Sequence, residues 1–130
     1  MKQTLPFLLL MLILSCSVEK INSSGIKIKS NYSIKIYNDI SLTDKASVQG
    51  FVYSKYEKCF LEYANITIDK KDKIGVQSSK DGFFKCDINP GEYKIECFYV
   101  GTPAIETKPF KINKGQRAII IFELGVDLIY

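Results

Sequence analysis

The chain has 130 residues, of which 46% are hydrophobic and 25% charged, with a net charge of +4 at neutral pH. This length suits a single domain, and the apolar content is too high for a disordered chain. The sequence contains no His, which excludes Ser-His-Asp hydrolases and His-dependent zinc sites. Its lysines are scattered and its only Arg is Arg117, so no clustered basic surface for nucleic acid is expected.

The first 15 residues have the pattern of an export signal. Lys2 precedes an apolar segment, residues 5–14, that is interrupted only by Pro6. A permanent membrane helix needs about 20 apolar residues, so this segment is too short to span a bilayer. It ends in Leu12-Ile13-Leu14-Ser15-Cys16, which resembles the bacterial lipobox.

The lipobox resemblance implies that residues 1–15 are removed as a lipoprotein signal peptide and that Cys16 is acylated, for example with palmitate. The alternative is an ordinary secretory signal that happens to contain a Cys. Residues 16–25 are then a short polar tether with an extended reach of about 30 Å. The expected location is the cell envelope, as a lipid-anchored protein on the periplasmic face or cell surface of a Gram-negative outer membrane.

Beyond the tether, the sequence predicts an all-β protein, because apolar residues recur at every second position between regularly spaced turn residues. Residues 26–46 are predicted to hold one or two accessory strands, at 26–29 and 32–36, and a linker. The main domain, residues 47–124, contains seven candidate strands: 47–54, 64–69, 74–79, 83–88, 92–100, 105–112 and 117–124. Residues 125–130 are predicted to be a C-terminal tail.

Three turns with Gly at their ends support antiparallel neighbours: Lys80-Asp81-Gly82, Asn89-Pro90-Gly91 and Asn113-Lys114-Gly115. Seven short strands joined in this way predict a seven-stranded antiparallel Greek-key β-sandwich. If Pro90 and Gly91 are the centre of a two-residue turn, the strands before and after it form a hairpin.

The main domain resembles the carboxypeptidase regulatory-like domain, a transthyretin-like (prealbumin-like) β-sandwich. The resemblance depends on Asp81-Gly82-Phe83-Phe84 and Pro90-Gly91-Glu92-Tyr93-Lys94-Ile95, with Gly50-Phe51-Val52 in the first strand. It departs from the family at Tyr63-Ala64 and Ser78-Ser79-Lys80. The family implies a non-catalytic accessory, scaffolding or binding module. The hydrolase that shares this fold depends on His, which is absent here.

Acylation of Cys16 would leave Cys59, Cys86 and Cys97. In the predicted hairpin Cys86 and Cys97 are diagonal neighbours about 7–8 Å apart, which is too far for a comfortable disulfide. Buried free thiols that pack as small hydrophobic side chains are therefore expected, with a Cys86–Cys97 bridge or a bridge from Cys59 as alternatives. The cysteine spacing lacks a Cys-x-x-Cys motif, so no metal site is predicted, and no cofactor is expected.

Four aromatic residues fall between positions 53 and 63: Tyr53, Tyr56, Phe60 and Tyr63. They are either caps over the open end of the sandwich, which we favour, or a binding surface for a glycan or an envelope protein. The sequence thus predicts a membrane-anchored lipoprotein whose sandwich is a binding or structural accessory module and not an enzyme. The alternative is a carbohydrate-binding module that uses these aromatic residues on surface polysaccharide.

Overall fold

The computed structural model describes residues 25–69 and 71–129. Every regular element in this part of the chain is a β-strand, so the predicted all-β class is confirmed. Ile28–Val126 forms one compact unit, while residues 25–27 and 127–129 belong to a second. The predicted signal peptide, Cys16 and nearly all of the tether lie outside the described residues.

Several strands, the two nine-residue ones among them, show the period-two alternation of more and less buried side chains that half-buried strands require. In chain order they are β1 (Gly25–Ile28), β2 (Asn31–Asn38), β3 (Ala46–Ser54), β4 (Cys59–Phe60), β5 (Asn65–Asp69), β6 (Ile74–Gln77), β7 (Phe83–Ile88), β8 (Gly91–Tyr93), β9 (Glu96–Phe98), β10 (Ile105–Glu106), β11 (Phe110–Ile112), β12 (Gln116–Leu124) and β13 (Val126–Ile129). β1 and β13 form a two-stranded sheet.

The first sheet of the larger unit is built around β3 and β12, which run parallel in unbroken register. β2 pairs antiparallel with the other edge of β12, while β7 and β4 pair antiparallel with β3. A Cβ atom at Gly50 would lie 1.6 Å from the carbonyl oxygen of Ile120, so only glycine permits this approach of β3 to β12. This parallel pair departs from the predicted antiparallel arrangement. That prediction assumed neighbours joined by hairpins, which are always antiparallel, whereas β3 and β12 are far apart in sequence and no hairpin fixes their relative direction.

The second sheet has the strand order β10-β9-β5-β6, with all neighbours antiparallel. β8 and β11 form a separate two-stranded ribbon. Inward-facing side chains from both sheets share one core, so the larger unit is sandwich-like. Its largest fully buried side chains are those of Phe84, Phe122, Ile66, Ile68, Ile95, Ile112, Ile120 and Leu124. Each contributes about 1.5–3 kcal/mol through removal from water.

Two predicted long strands, residues 92–100 and 105–112, are each broken in the middle. The breaks face each other, and Thr107 links them because its N–H donates to the Ile95 carbonyl at 2.9 Å while its hydroxyl accepts from the Ile95 N–H at 3.0 Å. Pro109, two residues after Thr107, has no N–H to donate to a ladder. The sequence also predicted no strand at β4 or β13.

The predicted hairpin around Pro90 and Gly91 does not form. β7 pairs with β3 of the first sheet, whereas β8 pairs with β11, so this turn is a connection between different sheets. Cys86 and Cys97 consequently lie on strands of different sheets and are not diagonal neighbours. Both thiols are free in the structure, as is that of Cys59. Only Cys97 is buried as expected, because Cys86 is half-buried and Cys59 is exposed.

Candidate functional site

The outer face of the first sheet, opposite the core, carries a cluster of aromatic rings. In β3 the side chain of Val52 points into the core, so those of Phe51 and Tyr53 point outward. Antiparallel pairing places Phe83 of β7 opposite Phe51, and Phe60 of β4 opposite Tyr53. The four rings are therefore brought together from three strands.

The rings of this cluster contact one another mainly by their edges. The centroid of Phe51 lies 5.6 Å from that of Phe60 and 5.4 Å from that of Phe83, and Tyr53 lies 5.2 Å from Phe60. Such pairs contribute about 0.5–1.5 kcal/mol each beyond their area burial. The side chain of Phe60 nevertheless remains 52% exposed and that of Phe51 36%. We call Phe51, Tyr53, Phe60 and Phe83 the outer aromatic patch.

Gly82 makes room for one ring of the patch. Its φ is +77°, which favours glycine, and a Cβ atom here would lie 2.8 Å from both the Phe60 Cβ and the Val52 carbonyl oxygen. The Val52 N–H donates to the Gly82 carbonyl at 2.9 Å. The predicted Asp81-Gly82 turn thus determines how closely Phe60 lies against β3.

The apolar surface continues from the patch onto β12 and β2. Ile121 lies next to Phe51 in the parallel register and is 39% exposed. Beyond it is a shallow groove of about 380 Å³ lined by Ser33, Ile34, Lys35, Tyr37, Ile119 and Ile121. Charged side chains flank this surface, with Lys35 on β2, Lys85 on β7 and Glu123 on β12.

A polar network closes one end of the same face. The Arg117 guanidinium donates to Asp39 at 2.9 Å, to the Ser47 hydroxyl at 3.1 Å and to the Gln49 side-chain oxygen at 2.7 Å. Hydrogen bonds from Ser41, together with the Arg117 guanidinium, lower the pKa of Asp39 to about 2. These groups satisfy one another, so they stabilise the loop after β2 and present no unpaired charge to a ligand.

The four sequence-predicted aromatic residues do not form one platform. Tyr53 and Phe60 contact each other, whereas Tyr56 is half-buried in the loop between β3 and β4 and makes no described ring contact. Tyr63 is 65% exposed and also lies outside the described ring contacts. Sequence reasoning missed Phe51 and Phe83, although the alternation in β3 and β7 marks both as outward-facing.

Tyr63 is held in a left-handed backbone conformation, with φ of +65°, which is uncommon for a bulky residue. Buried Ser78 determines this geometry. Its hydroxyl donates to the Leu61 carbonyl at 2.6 Å and accepts from the Ala64 N–H at 2.9 Å, while its carbonyl accepts from the Tyr63 N–H at 3.0 Å. The loop therefore presents Tyr63 to solvent in a defined position.

A second, charged cleft lies beside the β8–β11 ribbon. Its volume is about 380 Å³, and it is lined by Ile68, Asp69, Lys71, Glu92, Tyr93, Lys94 and Glu106. Partial burial, with the charges of Asp69 and Asp72, raises the pKa of Tyr93, whose hydroxyl donates to the Asn89 carbonyl at 2.5 Å. Within the described part of the chain, no three His, Cys, Asp or Glu side chains are arranged to hold a metal ion.

The three thiols in the described part of the chain, those of Cys59, Cys86 and Cys97, offer no activated nucleophile. Burial raises the pKa of Cys97 to about 12. Partial burial, and to a smaller extent neighbouring carboxylates, also raise the pKa values of Cys59 and Cys86. All three cysteines therefore favour the protonated thiol at neutral pH.

Comparison with known proteins identifies no relative. No protein-family model matches the chain, and no curated protein is significantly similar to it.

Among residues 25–69 and 71–129, the structure contains no helix that is long and apolar enough to cross a membrane.

Proposed function

We propose that the protein is an envelope lipoprotein, anchored through acylated Cys16, whose β-sandwich is a non-catalytic binding or structural accessory module. The observation that carries the binding role is the outer aromatic patch. Its rings converge from β3, β4 and β7 yet remain partly exposed. With the apolar surface that continues onto β12 and β2, the patch forms a contiguous exposed apolar face, a feature that commonly marks an interaction surface.

We further propose that the domain is a transthyretin-like sandwich of the carboxypeptidase regulatory-like kind. Support comes from the connections, because the chain passes repeatedly between the two sheets, as in Greek-key sandwiches. Two residues of the Asp81-Gly82-Phe83-Phe84 motif have positions that suit a structural role. Gly82 forms a tight turn with positive φ, and Phe84 is buried in the core.

The geometry of the patch favours an apolar partner over a sugar. A sugar platform needs an open ring face with hydrogen-bonding groups around it, and here the rings pack edge-on against one another. Three of the four residues are Phe, which offers no hydroxyl. The carbohydrate-binding alternative would also need Tyr56 and Tyr63 beside these rings, where neither makes a described ring contact.

The anchor is tested by replacing the predicted acylation site. We expect Cys16→Ala to move the full-length protein from the membrane fraction to the soluble fraction, because acyl chains contribute about 0.8 kcal/mol per buried methylene. The matched control is Cys59→Ala, which removes an exposed thiol and should leave the protein on the membrane. Fractionation and immunoblotting measure both variants. Membrane retention of the Cys16→Ala protein would rule out the anchor.

A further inference from the structure

We propose that the outer aromatic patch is a second membrane contact, which rests on the lipid surface that holds Cys16. This inference depends on the proposed lipid anchor. It specifies the partner that the outer aromatic patch binds. It assigns the patch an apolar, interfacial partner, so the first sheet would face the bilayer and the second sheet would face away from it.

The chemistry of the patch fits the interfacial region of a bilayer. Aromatic side chains accumulate at the level of the lipid headgroups, where ring bodies are buried and polar tips stay wet. Phe51, Phe60 and Phe83 supply the rings, and Tyr53 adds a hydroxyl. The flanking Lys85 has a long aliphatic stem that can lie along an apolar surface with the ammonium group in water.

Ring burial, and not charge, dominates this contact. Lys85, two residues from Phe83 on β7, is accompanied by Glu123, which lies next to Tyr53 in the register. A nearly balanced surface gains little from anionic headgroups. The contact is therefore expected on neutral phosphatidylcholine vesicles as well as on anionic ones.

The tether is long enough to allow the contact. Nine peptide units separate Cys16 from Gly25, the first residue of β1, and they span at most about 30 Å. A unit of roughly 100 residues has a diameter of only about 30–35 Å. The tether is therefore about as long as the larger unit is wide, which gives that unit room to turn its patch towards the bilayer.

Because the domain is tethered, even a weak affinity of the patch for lipid is enough to keep it on the membrane for much of the time. A short flexible tether holds the domain at an effective concentration on the order of millimolar. A patch with only millimolar affinity for lipid would then be in contact for about half of the time. The same patch on an untethered protein would stay largely in solution.

The size of the patch favours lipid over a folded protein partner. β4 and β7 pair with the same edge of β3, so the patch is only two strands wide. With strands about 4.8 Å apart and two rows of outward residues about 7 Å apart, it covers on the order of 150 Å², and its continuation on β12 and β2 brings the apolar face to about 300 Å². A standard protein interface buries about 800 Å² on each partner. A bilayer accepts a small patch, because it needs no matching partner surface.

The chain contains no Trp, so a single introduced indole reports its own surroundings. We would introduce Phe60→Trp in the outer aromatic patch and, as the matched control, Phe98→Trp on the outer face of the second sheet. Both positions are Phe, at 52% and 44% exposure. Each full-length lipidated variant is reconstituted into phosphatidylcholine vesicles that contain dibrominated phosphatidylcholine. Bromine quenches an indole only on close approach to the acyl chains.

The expected result is strong quenching and a blue-shifted emission for Phe60→Trp, with little change for Phe98→Trp. If both indoles are quenched equally, or neither is quenched, the proposed contact is wrong. The anchor is still supported in that case, provided that the protein remains bound to the vesicles. Recovery of both variants free of the vesicles would instead show that the anchor itself fails, and with it this inference. Circular dichroism of each variant verifies the β-fold.

Discussion

Arg117, the only arginine of the chain, has a structural role that sequence reasoning did not assign to it. Its guanidinium joins Asp39 in the loop after β2 to Ser47 and Gln49 on β3. The planar fork of donors suits this role, because it bonds several acceptors at once. A lysine could not replace it, since an ammonium lacks that fixed geometry.

The low pKa of Asp39 predicts a pH-dependent contribution to stability. The pKa is about 2 in the folded protein against an ordinary value of 3.8, so the carboxylate stabilises the fold above pH 4. This contribution is lost as the pH falls from about 4 to about 2. We expect Asp39→Asn to lower the melting temperature at pH 7, with a difference from the wild type that shrinks towards pH 2.

The matched control for this prediction is Asp44→Asn, at an exposed position of the same loop. It should leave the melting temperature nearly unchanged at both pH values. A difference between Asp39→Asn and the wild type that persists undiminished at pH 2 would contradict the assigned role of the carboxylate. Thermal unfolding followed by circular dichroism between pH 2 and pH 7 makes the measurement.

At the scale of elements, the alternation of side chains places most strands correctly, as at β3, β7 and β12. Alternation does not say which strands pair. The turn at Pro90 was predicted to close a hairpin, yet β7 and β8 pair in different sheets. Which strands pair depends on which arrangement buries Phe84 and Ile95 in one core, and that is a long-range property.

Two glycines with positive φ separate the effect of backbone conformation from that of packing. Gly82 has φ of +77° and its Cβ position is crowded by Phe60 and Val52, whereas Gly101 has φ of +84° and open space around it. Substitution by Ala costs about 1–2 kcal/mol at either site for the left-handed conformation. We expect Gly82→Ala to cost at least 1 kcal/mol more than Gly101→Ala, because it also displaces Phe60.

Urea denaturation of the two glycine variants measures this difference in the free energy of unfolding. Ring packing in the outer aromatic patch supplies a second readout, since movement of Phe60 should change the near-ultraviolet circular dichroism only in Gly82→Ala. Equal destabilisation of the two variants would mean that the Gly82 turn does not determine the position of Phe60.

At the scale of the whole molecule, the core joins both sheets of the larger unit, and Cys97 on β9 lies within it, fully buried. Its thiol is protected both by lack of access and by a pKa raised to about 12 through burial. Reaction with an alkylating reagent therefore requires opening of the core. Cys59 is exposed and needs no such opening.

We expect iodoacetamide at pH 8 to modify Cys59 rapidly and Cys97 only at the rate at which the core opens. Peptide mass spectrometry over a time course distinguishes the two sites. The Cys97 rate should rise in the destabilised Gly82→Ala variant while the Cys59 rate stays the same. Equal reactivity of the two cysteines in the wild type would contradict the buried position of Cys97.

The candidate site shows how far sequence reasoning reaches. Tyr53 and Phe60 were grouped because they are close together in the chain, as caps over the open end of the sandwich or as a binding surface, and they do contact each other. Phe51 and Phe83 are 32 positions apart and meet through the β3–β7 register. A residue pattern along one strand shows which face a side chain occupies but does not identify its neighbours on the next strand.

The sequence by itself determined the all-β class, the positions of most strands and the turn at Gly82, because alternation and the conformational freedom of glycine are local properties. Only the tertiary structure decided the parallel pairing of β3 with β12, the separation of Cys86 from Cys97, and the composition of the outer aromatic patch. These features depend on contacts between residues far apart in the chain. They are selected because together they bury one shared core, and no local segment of the sequence encodes that core.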